Sequence, residues 1–228
     1  MVRRPGGQRS FFEDMIYEVV RLARGKGVVT NKLRLVDATH VRARVDLFGP
    51  RKKKKNKSGG GGKGPKLPGG PDPDAAFGHK SATKSFYGYK THIGIDADSG
   101  IITDLRVTPG NYDDGSELPW LICHDPPEAV CADKGYDYRN NHSHCKQLGI
   151  IDGIIRKGNK TQPSKAITGQ RYKVERTFAE MKQWHGLARA RWWGLAKMAI
   201  QAAMTAMVVN CKHMVRHVSE GQLCPEVA

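Results

Sequence analysis

Residues 85–110 form the most regular stretch of the chain, which reads SFYGYKTHIGIDADSGIITDLRVTPG. Apolar and polar residues alternate on both sides of Asp98-Ser99-Gly100, a tripeptide that is typical of a tight turn. The pattern predicts a β-hairpin with strands at about 85–97 and 101–107. Pro109-Gly110-Asn111 ends the second strand, because these residue types interrupt regular structure.

Shorter segments on both sides of the hairpin complete a mixed sheet. One alternating strand is predicted at 33–37, and two apolar strands are predicted at 129–133 and 150–156. Three early strands in a meander, followed by alternating helices and strands, predict an α/β fold (α+β mixed sheet) with a mixed five-stranded sheet flanked by helices. The helical segments, identified by apolar periodicity, are 11–23, 113–123, 137–148, 170–185 and 195–217.

Composition restricts the class of protein. The 228 residues include 38 Lys and Arg against 22 Asp and Glu, and the net charge of +16 favours a polyanionic partner, most often nucleic acid. No apolar run is long enough for a membrane span or a secretory signal. The five cysteines are unevenly spaced and contain no C-x-x-C pair, which argues against a disulfide framework or a zinc ribbon and fits a reducing compartment.

The basic charge is concentrated in residues 51–66, RKKKKNKSGGGGKGPK, which contain no acidic residue. Together with the Pro- and Gly-rich residues that follow, they predict a flexible loop over 50–75, because such a segment cannot bury apolar surface. The loop has two interpretations: non-specific attraction of phosphates, or a solvated spacer. Its candidate DNA-binding residues are Lys52, Lys53, Lys54 and Lys55.

Three acids occupy positions where the predicted fold can bring them together. Asp37 is placed at the end of the first strand, Asp133 at the end of the fourth strand, and Glu175 within the helix at 170–185. If the first and fourth strands are parallel neighbours, their carboxyl ends share one edge of the sheet. Three carboxylates can hold the two Mg²⁺ ions that support phosphoryl transfer on nucleic acid. Taken singly, each acid is better explained as an ordinary surface carboxylate.

The helix that carries Glu175 adds cations on the same face, since neighbours there recur every three or four residues. This face suits a site that handles phosphate, but a plain ladder of salt bridges is, taken alone, the better explanation. Lys134, next to Asp133, and Arg176, next to Glu175, are further candidates for phosphate contacts. The face comprises Arg171, Glu175, Phe178, Lys182 and His185, and the tryptophans that can stack on bases or pack in a core or interface are Trp184, Trp192 and Trp193.

Residues 171–194, RYKVERTFAEMKQWHGLARARWWG, resemble the C-terminal signature of DDE transposases of bacterial insertion sequences. Arg171, Glu175 and Lys182 match the spacing of that signature, whereas Thr168 replaces its usual tyrosine. The segment VCADKGYDYRNN resembles the second-acid motif of the family and contains Asp133. The segment LRLVDATHVRA resembles the first-acid motif and contains Asp37.

The resemblance implies an RNase H-like fold and a division of the chain into three parts. Residues 31–218 would form the catalytic domain, and 219–228 a tail. Residues 1–30 would be a helical remnant of an upstream DNA-recognition domain that is otherwise missing. A second class of interpretation follows from this apparent truncation: a domesticated relative that binds DNA without transposing it. A simple nuclease of the same fold is the third interpretation.

The resemblance also implies a mechanism and partners. Asp37, Asp133 and Glu175 would be catalytic and would hold Mg²⁺ or Mn²⁺, as a pair of ions, while Arg171 and Lys182 would position DNA phosphates. The chain would cleave DNA and join the freed 3′-hydroxyl to target DNA. Its partners would be element ends, target DNA and a second copy of the chain, with no membrane involved. Its location would be the bacterial cytoplasm, in association with the nucleoid.

Overall fold

The computed structural model describes residues 11–44, 72–81 and 84–219. Within these ranges the chain forms α-helices and six β-strands, and two short 3₁₀ turns lie at Asp114–Glu117 and Lys134–Tyr136. In chain order, the elements are α1 (Phe11–Gly25), β1 (Leu33–Arg42), β2 (Ala76–Ser81), β3 (Lys84–Asp96), β4 (Ile102–Pro109), α2 (Leu118–Ile122), β5 (Ala129–Ala132), α3 (Arg139–Gln147), β6 (Ile151–Ile154), α4 (Lys165–Thr168), α5 (Tyr172–Gln183) and α6 (Leu195–Ser219).

All six strands belong to one mixed sheet. The strand order is β2-β3-β1-β5-β6, and β4 also pairs with β3. Strand β3 is antiparallel to β1, β2 and β4, whereas β1, β5 and β6 are mutually parallel. An antiparallel meander of β1, β3 and β4 followed by two parallel strands confirms the predicted mixed sheet and its RNase H-like arrangement.

The strand count differs from the prediction, because β2 makes the sheet six-stranded rather than five-stranded. This strand pairs with the first residues of β3, from Ala76 opposite Gly88 to Ser81 opposite Lys84. Its sequence, AFGHKS, is short, contains a glycine and follows a Pro- and Gly-rich run, so the sequence pattern gave no strand signal there. Pairing with the long strand β3 supplies the stability that local sequence lacks.

The end of the predicted flexible loop is also different. Asp72 is only 1% exposed. Its carboxylate accepts hydrogen bonds from the Tyr89 hydroxyl, at 2.5 Å, and from the Gly194 amide, at 3.2 Å. Residues 72–75 are therefore fixed to β3 and to the start of α6. The rest of the predicted loop, including Lys52 to Lys55, lies outside the described residues.

Hydrophobic side chains pack on both faces of the sheet. Leu35 joins a cluster that includes residues of α1, α5 and α6, and its neighbour Val36 joins a second cluster that includes residues of α2 and α3. Successive strand residues point to opposite faces, so β1 contributes to both clusters. Helix α1 is part of the first cluster through Ile16, Val20 and Ala23, which are at most 5% exposed.

Two regions differ in detail from the predicted helices. The predicted helix at 113–123 is a 3₁₀ turn followed by α2, and Asp113 caps the turn by accepting the Ser116 amide. Residues 157–169, for which the sequence analysis predicts no helix or strand, contain the single turn α4, which Ser164 caps. Among the described residues, no helix combines the length and the apolar character that crossing a membrane requires.

Candidate active site

Asp37 and Asp133 lie side by side on neighbouring parallel strands. Val36 of β1 pairs with Ala132 of β5, so the residue that follows each of them is an aspartate at the same level of the sheet. The parallel arrangement on which the sequence argument depended is confirmed. The position of Asp37 is corrected, because β1 continues to Arg42 through its pairing with β3, and Asp37 lies in the middle of the strand.

Arg171, immediately before α5, contacts all three predicted acids. Its Nη1 lies 3.4 Å from Asp133 Oδ1, and its Nη2 lies 3.5 Å from Glu175 Oε1 and 3.8 Å from Asp37 Oδ2. Glu175 is in the first turn of α5, where the helix dipole favours a negative charge. Packing of α5 against the sheet thus gathers carboxylates from three separate elements around one guanidinium group.

The three carboxylates differ in solvent exposure. The side chain of Asp37 is 21% exposed, that of Asp133 is 38% exposed and that of Glu175 is 61% exposed. Burial raises the pKa of Asp37 to about 6, against the lowering effects of the Ala38 amide hydrogen bond and of Arg171. The Asp133 charge raises it further. Asp37 is therefore the acid most in need of a cation when it is ionised.

The predicted DNA-contacting cations are not equivalent. Arg171 is only 22% exposed and is engaged with acids, so it serves as their counter-ion in this structure. Lys134 and Arg176, in contrast, are exposed beside Asp133 and Glu175, and Lys182 is half-buried. The two exposed cations are the ones with free access to a phosphate backbone.

The donor chemistry suits a hard cation, because all three acids offer carboxylate oxygens. Within the described residues, however, no group of three or more His, Cys, Asp or Glu side chains is arranged so that it could hold a metal ion. The guanidinium of Arg171 lies among the three acids instead. Its Nε is buried without a hydrogen-bond partner, so the guanidinium is not fully satisfied there.

Tyr136 is a neighbour of the site. The sequence analysis did not identify it as a functional residue. Its hydroxyl is buried and has no hydrogen-bond partner, although the side chain is only 1% exposed. Burial raises its pKa, and Asp37 is the largest electrostatic contributor in the same direction. The sequence feature that could have identified Tyr136 is its position in the segment VCADKGYDYRNN, three residues after Asp133.

Two residues of the segment NNHSHC, His142 and Cys145, have structural roles. The two ring nitrogens of His142 lie 2.8 Å from Asp137 and 2.7 Å from Asp152. Cys145 is buried in the second hydrophobic cluster.

The three tryptophans around the end of α5 are exposed rather than buried. Trp184 is 71% exposed, Trp192 is 46% exposed and Trp193 is 48% exposed. None of the three tryptophans belongs to the hydrophobic core, so the core role that the sequence left open is excluded.

Comparison with known proteins gives a family and several relatives. The family model described as "Transposase DDE domain" matches residues 30–211. The transposase for insertion sequence element IS1106, from Neisseria meningitidis serogroup B, is 35% identical over 132 residues. That alignment covers 54% of this chain and 46% of the relative, so the chain spans about half the length of that protein.

Solved structures are similar only at low identity. The catalytic core domain of BIV integrase is 12% identical with a TM-score of 0.42, and the match covers 83% of this chain and 99% of the integrase chain. The Mos1 strand transfer complex is 11% identical with a TM-score of 0.35, and the match covers 98% of this chain and 66% of the Mos1 chain.

Proposed function

Because the chain belongs to the family of transposases with a DDE domain, we propose that it is the catalytic part of a transposase that moves a bacterial insertion sequence. Its reactions are the hydrolysis of a phosphodiester at the element end and the attack of the freed 3′-hydroxyl on target DNA. In the first step, water adds to phosphorus and the 3′-oxygen leaves. In the second step, the 3′-oxygen displaces a bridging oxygen of the target strand.

One observation carries the proposal: three carboxylates from β1, from the residue after β5 and from α5 share the guanidinium of Arg171 at 3.4–3.8 Å. Neighbouring carboxylates repel each other, and the side chain of Asp37 is only 21% exposed. A fold that gathers three acids leaves an excess of negative charge that a single arginine does not neutralise. This excess is what a site for divalent cations requires.

We propose that Asp37, Asp133 and Glu175 hold Mg²⁺ or Mn²⁺, as a pair of ions. When bound, such cations neutralise charge on the attacking and leaving oxygens of the phosphodiester. The chain contributes the rigid placement of the acids. Asp37 is fixed within the sheet, and Asp133 is held by its own cap, in which its Oδ1 accepts the Lys134 amide at 2.6 Å.

The exposed cations beside the acids are the residues that we propose contact DNA. Lys134 and Arg176 have access to DNA phosphates, and phosphate contacts position the backbone without reading its sequence. Joining two element ends calls for a second copy of the chain, which makes a dimer the proposed active form. The proposed cellular setting is bacterial chromosomal DNA, from which the element is cut and into which it is inserted.

Cleavage of a plasmid that carries the chain's own insertion sequence tests the proposal directly. With Mg²⁺ present, wild type should nick the plasmid at the element ends, and Asp133→Asn should lower the rate by at least roughly a hundredfold. Glu128→Gln is the matched control, because Glu128 is exposed at the opposite end of β5 and should leave the rate unchanged. Equal rates for the three proteins would refute the assignment of Asp133, and DNA binding without any cleavage would favour the non-transposing alternative.

A further inference from the structure

An open groove lies beside the sheet, away from the three acids. Its volume is about 710 Å³, and it is lined by Arg44, Gly186, Arg189, Ala190, Arg191 and Trp192. We call it the arginine–tryptophan groove, and we propose that it binds unpaired nucleotides of a DNA strand, with phosphates on the arginines and a base on Trp192. The proposal rests on the proposed function only in taking DNA as the partner.

The groove carries three arginines whose charge is not compensated by any carboxylate of the described residues. Within the described residues, none of its three arginines forms an ion pair with a carboxylate. Each of two guanidinium groups donates one hydrogen bond to a main-chain oxygen: Arg44 Nη1 to Arg191 O, at 2.8 Å, and Arg189 Nε to Ala43 O, at 3.3 Å. A guanidinium has five N–H donors, so most of them remain available. Planar groups of this kind match phosphate oxygens well.

The main chain that lines the groove is held in one conformation before any ligand binds. Gln201 of α6 is 5% exposed. Its side-chain oxygen accepts the Arg191 amide at 2.8 Å, and its side-chain nitrogen donates to the carbonyls of Gly186 and Arg189, both at 3.0 Å. A buried side chain that satisfies three main-chain groups holds the loop in one shape. Little ordering entropy therefore opposes binding.

Trp192 decides which form of DNA suits the groove. Its ring is 46% exposed at the groove wall. In a duplex, each base face is covered by its neighbours in the stack, so an indole can stack only on an unpaired or terminal base. Stacking of bases on aromatic rings is the usual means of binding single strands, and it tolerates any sequence. Arginines alone would serve a duplex equally well.

The position of the groove allows it to share a strand with the acids. Arg189 forms an isolated parallel β-bridge with Arg42. The Ala190 amide donates to the Arg42 carbonyl at 2.7 Å. Arg42 lies five residues beyond Asp37 on β1, a distance of roughly 17 Å at about 3.3 Å per residue. One strand of B-DNA covers that distance in about five nucleotides. A strand cut at the acids can thus place bases several nucleotides away in the groove.

Binding of short labelled oligonucleotides in EDTA tests the proposal without any requirement for catalysis. Fluorescence anisotropy would compare a 12-nucleotide single strand with the corresponding blunt duplex at one salt concentration. Trp192→Ala should weaken single-strand binding by roughly fivefold to a hundredfold and leave duplex binding nearly unchanged. Trp192→Phe should retain most of the affinity. Trp193→Ala is the matched control, because Trp193 is equally exposed but does not line the groove.

Arg191→Ala provides the second arm of the test. It should weaken single-strand binding and reduce the slope of log affinity against log salt by about one, since one phosphate contact is lost. Equal losses from Trp192→Ala and Trp193→Ala would overturn the proposal. So would equal losses on single strand and duplex, which would indicate a groove for phosphates alone. If the wild-type chain cleaves DNA and these variants bind single strands as tightly as wild type, the proposed role of the groove is refuted and the proposed function is unaffected.

Discussion

Replacing Asp37 with asparagine should stabilise the metal-free protein above pH 6, although it removes a proposed metal ligand. Burial raises the pKa of Asp37 from 3.8 to about 6. A shift of about two units corresponds to ~3 kcal/mol of unfavourable free energy for holding the ionised side chain in the fold. The shift already includes the favourable effect of Arg171, so losing that contact does not cancel the gain.

The amide of asparagine fits the same position. Its oxygen can accept the Ala38 amide, which now donates to Asp37 Oδ1 at 2.8 Å. Allowing for imperfect solvation of the new amide group, we expect Asp37→Asn to raise the free energy of unfolding by ~1–3 kcal/mol at pH 7.5.

The pH dependence has a definite sign. The folded protein binds the Asp37 proton more tightly than the unfolded chain, so wild type loses stability as pH rises from 3.8 through about 6. Asparagine does not titrate, and the advantage of the variant therefore develops over the same window. By linkage, the advantage at pH 4.5 should be roughly a third of its value at pH 7.5.

Urea unfolding in EDTA at pH 4.5 and pH 7.5 measures both quantities. Asp133→Asn is the control, because the Asp133 side chain, at 38% exposed, is more accessible to water than that of Asp37, at 21%. It should change the free energy of unfolding by less than ~1 kcal/mol. A variant Asp37→Asn that is no more stable than wild type at pH 7.5, or that gains equally at both pH values, would refute the reasoning.

Three further predictions concern the cations. Arg171→Gln should tighten Mn²⁺ binding by roughly tenfold in isothermal titration calorimetry, because a competing charge leaves the acids; unchanged or weaker binding would contradict that role. Arg34→Met should lower the free energy of unfolding by ~3–5 kcal/mol, because it leaves the buried Asp104 carboxylate, 2.9 Å away, without its ion-pair partner. The additional change Asp104→Leu should restore most of the loss, and a double variant as unstable as the single one would exclude this explanation. Deleting residues 51–66 should leave urea stability unchanged and flatten the salt dependence of DNA binding, since up to eight cations are lost; an unchanged slope would show that the segment does not contact DNA.

The sequence predicted the elements better than the contacts between them. The hairpin of β3 and β4 and the parallel pairing of β1 with β5 follow from local alternation and from the order of elements. The i, i+4 relation of Arg171 to Glu175 also follows from helix geometry. That Arg171 reaches Asp37 and Asp133 depends on how α5 packs on the sheet, which no local pattern encodes.

The two wrong predictions, at β2 and at Asp72, also depend on contacts between residues that are distant in sequence. Strand β2 forms because β3 is long enough to offer it a partner, not because AFGHKS favours an extended chain. The Pro- and Gly-rich neighbours of Asp72 predict a flexible loop at this position. Its fixed position arises from the Tyr89 hydroxyl and the Gly194 amide, which are distant in sequence.

The anchoring of Asp72 has a consequence for evolution of the gene. Arg44 donates to the carbonyl of Arg191, and Asp72 accepts from the amide of Gly194, so the two described residues that flank 45–71 are both attached to one tetrapeptide, 191–194. The entropy of closing a loop between two such points grows only with the logarithm of its length, and each doubling costs roughly 0.6 kcal/mol. The sequence predicts a flexible loop over most of residues 45–71, so we expect that many codons can be gained or lost there with little effect on folding, which makes this the position in the chain where new basic sequence is most easily acquired.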